Sequence, residues 1–133
     1  MRLPAFCSVM ILILCQGCLQ APPLVSSAWQ EANRRAGTQA AEQPPPEVDW
    51  EGARGDSGGC LDPSRTGVNP PARYLPDLDR VEILSLCAQP LHVLLVHEFL
   101  HAIRQRARRQ QGVPLAGQDS EEEAWVRERL SGS

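Results

Sequence analysis

The residues best suited to chemistry are two histidines and a glutamate in the sequence HEFLH, residues 97–101. On a helix, His97 and His101 project from the same face one turn apart, so both imidazoles can bind one metal ion. Glu98 lies about 100° further round the helix, beside the metal without binding it. A carboxylate there can take a proton from metal-bound water and pass it to a leaving group. The spacing therefore predicts a hydrolytic metal centre.

The flanking sequence places this motif on a buried helix. Pro90 suits the first helical turn, and Gly112 is a stop signal after several arginines that complement the helix dipole, so we expect a helix from about Pro90 to Gln111. Apolar residues surround the motif on nearly every side, and a helix that is apolar all round is buried. Buried His and Glu side chains need partners, which a metal ion can supply. Core histidines satisfied by ordinary hydrogen bonds are the alternative.

A catalytic zinc usually takes three protein ligands and leaves one position for water. The metzincin pattern requires Gly and His three and six residues after the second motif histidine, where this chain has Arg104 and Ala107. That family is excluded. A glutamate from a following helix is the other source, and residues 119–126 open such a helix after a turn at residues 113–117.

This layout resembles the gluzincin branch of the zinc peptidases, in which a Glu beyond the motif is the third ligand. The resemblance covers roughly residues 80–130 and is specific at the motif. It implies a zinc metallopeptidase in which His97, His101 and a glutamate hold Zn²⁺ and Glu98 is the general base. It also implies an α+β fold: a minimal zincin-like domain with a small β-sheet, the motif helix and a packed C-terminal helix.

Three adjacent glutamates compete to be the third ligand. Glu122 lies over the middle of the apolar face of the last helix and is the preferred choice. Glu121 lies at the edge of that face and ranks second. Glu123 ranks third, because it has capping-box spacing with Ser120. The alternative is that all three only place acid at the positive end of a helix.

The N-terminal residues predict export. Arg2 precedes an apolar run, residues 6–14, that has signal-peptide length and is too short to span a bilayer. A Gly-Cys pair follows and resembles a bacterial lipoprotein cleavage site, which predicts that residues 1–17 are a signal peptide. Cys18 would then carry a lipid and anchor an envelope protein in the membrane, facing the periplasm or the exterior. Cleavage after Ala28 is the competing interpretation.

Domain organisation follows from composition. Residues 18–57 are rich in Pro, Gly and Gln and lack sustained apolar periodicity, which predicts a disordered tether. Residues 58–133 then form one small domain. In an oxidising compartment Cys60 and Cys87 would pair, stabilising the fold by about 3.5 kcal/mol. Two buried thiols are the alternative.

The sequence before the motif predicts a strand, because residues 80–87 begin with alternating apolar positions. Such a strand could present an edge to an extended substrate, or it could be a core strand. Tyr74 and Arg104 are candidates for stabilising an oxyanion. A packed ring and a solvated cation at a helix end are the respective alternatives.

Composition also limits the partners. The chain has 133 residues and a formal net charge of −3, which gives no electrostatic reason to expect nucleic acid. We expect a monomer acting on a peptide or protein substrate. A non-catalytic envelope lipoprotein that uses the same frame as a binding module is the alternative, which the small size favours modestly.

Overall fold

A computed structural model describes residues 23–58, 60, 68, 70–87, 90–112 and 120–132. Within these residues the chain is α+β, as expected. The helices are α1 (Pro23–Ala36), α2 (Leu91–Gln110) and α3 (Ser120–Ser131), the strands are β1 (Glu47–Asp49), β2 (Ala72–Leu75) and β3 (Arg80–Ile83), and two 3₁₀ segments span Ala40–Glu42 and Glu51–Gly58. The expected signal peptide, residues 1–17, and Cys18 lie outside the described residues.

Helix α1 corrects the expected tether. Its inner face packs into the core through residues at helical spacing, each at most 4 % exposed: Val25, Ala28, Trp29 and Ala32. Two of these are alanines, whose short side chains allow α1 to approach α2 closely. The prediction of a disordered tether over residues 18–57 was therefore wrong for residues 23–57, because half of this apolar stripe consists of alanine, which makes the periodicity weak in the sequence. Residues 18–22 lie outside the described part of the chain.

Trp29 also fixes the chain that leaves α1. Its indole N–H donates to the carbonyl oxygens of Ala40 and Gln43, at 3.3 and 3.0 Å. Its ring meets Phe99 of α2 edge to face, with centroids 5.4 Å apart. The polar and apolar parts of one side chain thus join α1, the following 3₁₀ turn and α2.

Strand β3 lies in the middle of a three-stranded sheet. It pairs with β1 in parallel, with Val48 beside Val81, and with β2 in antiparallel, with Tyr74 opposite Val81. Val81 and Ile83 are buried, as the alternation predicts. Since β3 is paired on both sides, it is a core strand and cannot present an edge to a substrate. The strand also ends at Ile83, earlier than the alternation suggests.

Helix α2 contacts α1, β2 and α3, so the motif helix lies at the centre of the domain. Its bounds agree with the expected helix to within one residue. Helix α3 begins near Arg104, which donates a hydrogen bond to Glu122, and Leu130 near its other end lines the same surface pocket as Val96. It therefore runs back along α2 and brings its acidic first turn to the motif.

Cys60 and Cys87 form a disulfide, as expected, with Cα atoms 5.2 Å apart. The bond connects residue 60 to the segment just before α2. Nearby, the buried carboxylate of Asp56 accepts a hydrogen bond from the backbone N–H of Leu86 at 2.8 Å. Together these contacts fix the approach to the motif helix. Across the described ranges, no helix combines the length and apolar character needed to cross a bilayer.

Candidate metal centre

His97 and His101 project from the same face of α2, as their spacing predicts. Their Nε2 atoms lie 3.3 Å apart. The His101 side chain is 1 % exposed, whereas that of His97 is 29 % exposed. The pair therefore lies at the edge of the core, with one imidazole enclosed and the other reaching solvent.

Glu123 of α3 completes the group. Its Oε1 lies 3.1 Å from Nε2 of His101, and its Oε2 lies 3.8 Å from Nε2 of His97. One ligand atom from each of the three residues lies within 4.8 Å of the others. A tetrahedral zinc with ligands at about 2.0–2.1 Å separates its ligand atoms by roughly 3.3 Å, so both the spacing and the donor types fit such an ion.

Glu122 is fully buried, as its place over the apolar face predicts, but it lies behind the imidazole. Its Oε1 is 3.3 Å from Nδ1 of His101, and its Oε2 accepts a hydrogen bond from Nε of Arg104 at 2.9 Å. Glu122, predicted to be the third ligand, therefore lies on the Nδ1 side of His101, and Glu123 takes its place in the group of possible ligands. The residue that faces the core most directly contacts the far side of the histidine, and Glu123, about 100° further round α3, reaches the open side.

Glu121, the second choice, is also not in the group. Its side chain is 80 % exposed and lies 3.9 Å from Arg104. The capping role considered for Glu123 does not prevent its carboxylate from facing the imidazoles. Of the three glutamates, the one ranked third has the side chain that faces both imidazoles.

The two histidines differ in their affinity for a proton. Burial lowers the pKa of His97, and the neighbouring His101 lowers it further, more than Glu123 raises it. Burial also opposes protonation of His101, but the bond to Glu122 and the charges of Glu98 and Glu123 outweigh it and raise the pKa of His101. Metal binding requires both imidazoles to be neutral and would release protons from the protonated forms.

Glu98 is buried on α2, close enough to His101 and Glu123 for their charges to affect its pKa. Its carboxylate accepts a hydrogen bond from the backbone N–H of Tyr74, and its Oε2 has no hydrogen-bond partner among the described residues. Burial raises the pKa of Glu98 to about 7, although the charge of His101 opposes the rise. A carboxyl group that titrates near neutrality can both accept and return a proton.

The two candidate oxyanion stabilisers have other partners. The Tyr74 hydroxyl donates to Asp79, and burial raises the pKa of this phenol. Arg104 donates to Glu122 and lies over the ring of Trp125, 5.0 Å from its centroid. Tyr74 thus has the packed-ring role that was its alternative, whereas Arg104 is not a solvated cation at a helix end: its side chain is 23 % exposed and is bound to Glu122.

No protein-family model matches the chain, and no curated protein or solved structure matches it either. The interpretation of the centre therefore depends on its own residues: which atoms face one another, which are buried, and which metal or proton chemistry such a set supports.

Proposed function

We propose that this chain is a zinc-dependent hydrolase in which His97, His101 and Glu123 hold the ion and Glu98 is the general base. The observation that carries the proposal is the convergence of one ligand atom from each of these three residues within 4.8 Å. A buried carboxyl group directly follows the first histidine. The resemblance of the motif to the gluzincins favours peptide bonds as the substrate.

The donor set is the two-histidine, one-glutamate type of catalytic zinc sites. When bound there, zinc would lower the pKa of a water ligand to about 7 and polarise a carbonyl group. Glu98 can accept a proton at Oε2 and donate it to a leaving amine, while the N–H of Tyr74 holds the carboxylate from the β2 side. His97 and Glu123 are about one-third exposed, which gives a substrate access from solvent.

The arrangement around the centre supports a reduced zincin-like frame. The motif helix packs against a small sheet, and the following helix brings back the third ligand. Within the described residues, helix α1 adds a layer against α2 that the sequence comparison with gluzincins does not imply. The proposed domain therefore begins at Pro23 or earlier.

The proposal places the protein in an oxidising compartment, reached by export. The disulfide between Cys60 and Cys87 is compatible with such a compartment. Processing before Cys18 would leave α1 whole, whereas cleavage after Ala28 would remove the first turns of α1, including the buried Val25. We therefore favour the lipoprotein alternative, in which only residues 19–22 separate the lipid from α1.

A comparison of the wild type with Glu98→Gln tests the catalytic part of this proposal. Both proteins are loaded with zinc and assayed on labelled casein and on a mixture of internally quenched peptides. We expect Glu98→Gln to keep its zinc and to lose about 10²–10⁴-fold in rate, because it cannot accept a proton. Glu121→Gln is the matched control, since that side chain is 80 % exposed, and it should behave as the wild type.

Two results would contradict catalysis. One is a zinc-loaded wild type that cleaves no faster than the metal-free protein, which would favour a non-catalytic binding module. The other is full activity in Glu98→Gln, which would exclude this carboxylate as the base.

A further inference from the structure

Two successive carboxylates of α3 flank a single imidazole. Glu122 contacts Nδ1 of His101 at 3.3 Å, and Glu123 approaches Nε2 of the same ring at 3.1 Å. We propose that Glu122 is a positioning residue, which accepts a hydrogen bond from Nδ1 of His101 and so keeps the Nε2 lone pair directed at the metal position. This inference rests on the proposed function, and it assigns the neighbouring glutamates different tasks.

The hydrogen-bonding capacity of the ring limits where its proton can be. A neutral imidazole carries one N–H donor and one acceptor nitrogen. His101 meets a carboxylate at each nitrogen, and an ionised carboxylate can only accept. Glu122 is fully buried, whereas Glu123 is 31 % exposed and can be solvated by water, so the single proton of the neutral ring belongs on Nδ1, which donates to Glu122. The proton is then absent from Nε2, the nitrogen that lies 3.3 Å from His97. Partners that orient metal-binding histidines in this way usually affect metal affinity.

Two arginines hold the carboxylate of Glu122 in place. Nε of Arg104 donates to Oε2 at 2.9 Å, and Nε of Arg108 lies 4.0 Å from the same oxygen. These cations offset the desolvation cost of a carboxylate that is fully buried. Arg104 is itself held over the ring of Trp125. Glu122 therefore has one oxygen fixed by a cation and the other directed at His101.

This arrangement makes Glu122→Gln informative, because the glutamine amide has nearly the shape of the carboxylate but accepts hydrogen bonds only at its oxygen. Arg104 can only donate, so it should bind the amide oxygen. The amide NH₂ then faces Nδ1 of His101 and donates to it. The ring should then carry its proton on Nε2, which faces His97 and Glu123, and this tautomer must be reversed before Nε2 can bind a metal.

The experiment reads the tautomer and the metal affinity separately. The ring nitrogens of His101 are observed by ¹⁵N-resolved NMR on the metal-free protein at alkaline pH, where the imidazole is neutral. Zinc affinity is measured by competition with a chromophoric chelator. We expect Nδ1–H in the wild type, Nε2–H in Glu122→Gln, and a 10–100-fold weaker zinc affinity in that variant. Glu121→Gln should match the wild type in both measurements.

Each outcome bears on the inference. An Nε2–H tautomer in the wild type would overturn it, and this reading needs no variant to fold. Wild-type zinc affinity in a folded Glu122→Gln would also overturn it. If instead the tautomers are as expected but the wild type binds no zinc, the proposed function fails while the contact between Glu122 and His101 stands.

Discussion

Helix α2 carries two polar clusters that are built in the same way, and only one of them leads to a metal-binding arrangement. In the first, Arg104 lies over Trp125 and donates to Glu122, whose other oxygen contacts His101. We call this the His101 cluster. Its residues come from α2 and α3 and lie at one side of the domain core.

The second cluster combines the same types of side chain, and its arginine lies two residues further along α2. Arg106 lies over Trp29 at 5.2 Å and donates to both carboxylate oxygens of Asp79, at 3.1 and 2.7 Å. Asp79 also accepts a hydrogen bond from the Tyr74 hydroxyl. We call this the Tyr74 cluster, and it joins α1, α2 and the turn between β2 and β3.

The two clusters differ in the ring that ends each hydrogen-bond network. The phenol of Tyr74 has one O–H, which donates to Asp79 and ends the network. The imidazole of His101 has a second nitrogen, which lies 3.3 Å from His97 and 3.1 Å from Glu123. In both clusters, an arginine that lies over a tryptophan ring thus holds a carboxylate in place. The second nitrogen is what lets the His101 cluster contribute a ligand to the proposed metal centre.

The largest expected difference is the response to zinc. If the His101 cluster orients a ligand, free zinc at 1,000 times its Kd should raise the free energy of unfolding by about 4 kcal/mol. Urea denaturation of the chelator-treated protein, with and without added zinc, measures this gain. The variant His97→Ala should lose the gain, whereas Asp79→Asn in the other cluster should keep it. Equal gains in His97→Ala and the wild type would contradict the claim that the His101 cluster orients a zinc ligand.

A smaller effect is expected from Asp79→Asn, which changes the Tyr74 cluster alone. Asp79 has a positive φ of 48°, a conformation that asparagine adopts readily, so the backbone should be preserved. Loss of the charged partner of Arg106 should cost about 2 kcal/mol at neutral pH. Denaturant titration measures this cost, and zinc affinity should stay unchanged. A weaker zinc affinity would mean that the two clusters are coupled.

The same variant has a defined pH dependence. Burial alone would raise the pKa of Asp79, but hydrogen bonds from Arg106 and Tyr74 outweigh burial and hold the pKa below its ordinary value of 3.8. A depressed pKa gives stability that is present above the unfolded value and is lost as the pH falls through the folded value. The wild type and Asp79→Asn should therefore converge in stability at acid pH. A difference in stability that persists at acid pH would show that the ionised carboxylate of Asp79 is not its source.

The two clusters also differ in how far the sequence predicts them. The helical spacing of His97 and His101 predicts a shared face, and an acidic helix after a turn predicts a nearby carboxylate. The pattern of α3 correctly indicates that Glu122 is buried. It cannot indicate how α3 is rotated against α2, because packing sets that rotation. The sequence therefore leaves open which of Glu122 and Glu123 faces the Nε2 atoms of the two histidines.

The Tyr74 cluster was not predicted at all, since it depends on contacts between distant parts of the chain. Arg106 meets Asp79 and the carbonyl of Pro44, and the ring of Trp29 comes from a helix in the segment expected to be disordered. Strand β1 comes from that segment too, so the central place of β3 could not be inferred. Long-range pairing of short, weakly patterned segments is the common cause of these errors.

The most direct test of the central claim is zinc binding by the wild type, Glu123→Ala and the matched control Glu121→Ala. Equilibrium dialysis followed by metal analysis gives the stoichiometry and the affinity. We expect one zinc per chain in the wild type and in Glu121→Ala. The affinity of Glu123→Ala should fall by more than about 100-fold, since loss of a ligand should exceed loss of a residue that only orients one. Absence of zinc from the wild type, or equal affinity in Glu123→Ala, would contradict the proposed centre.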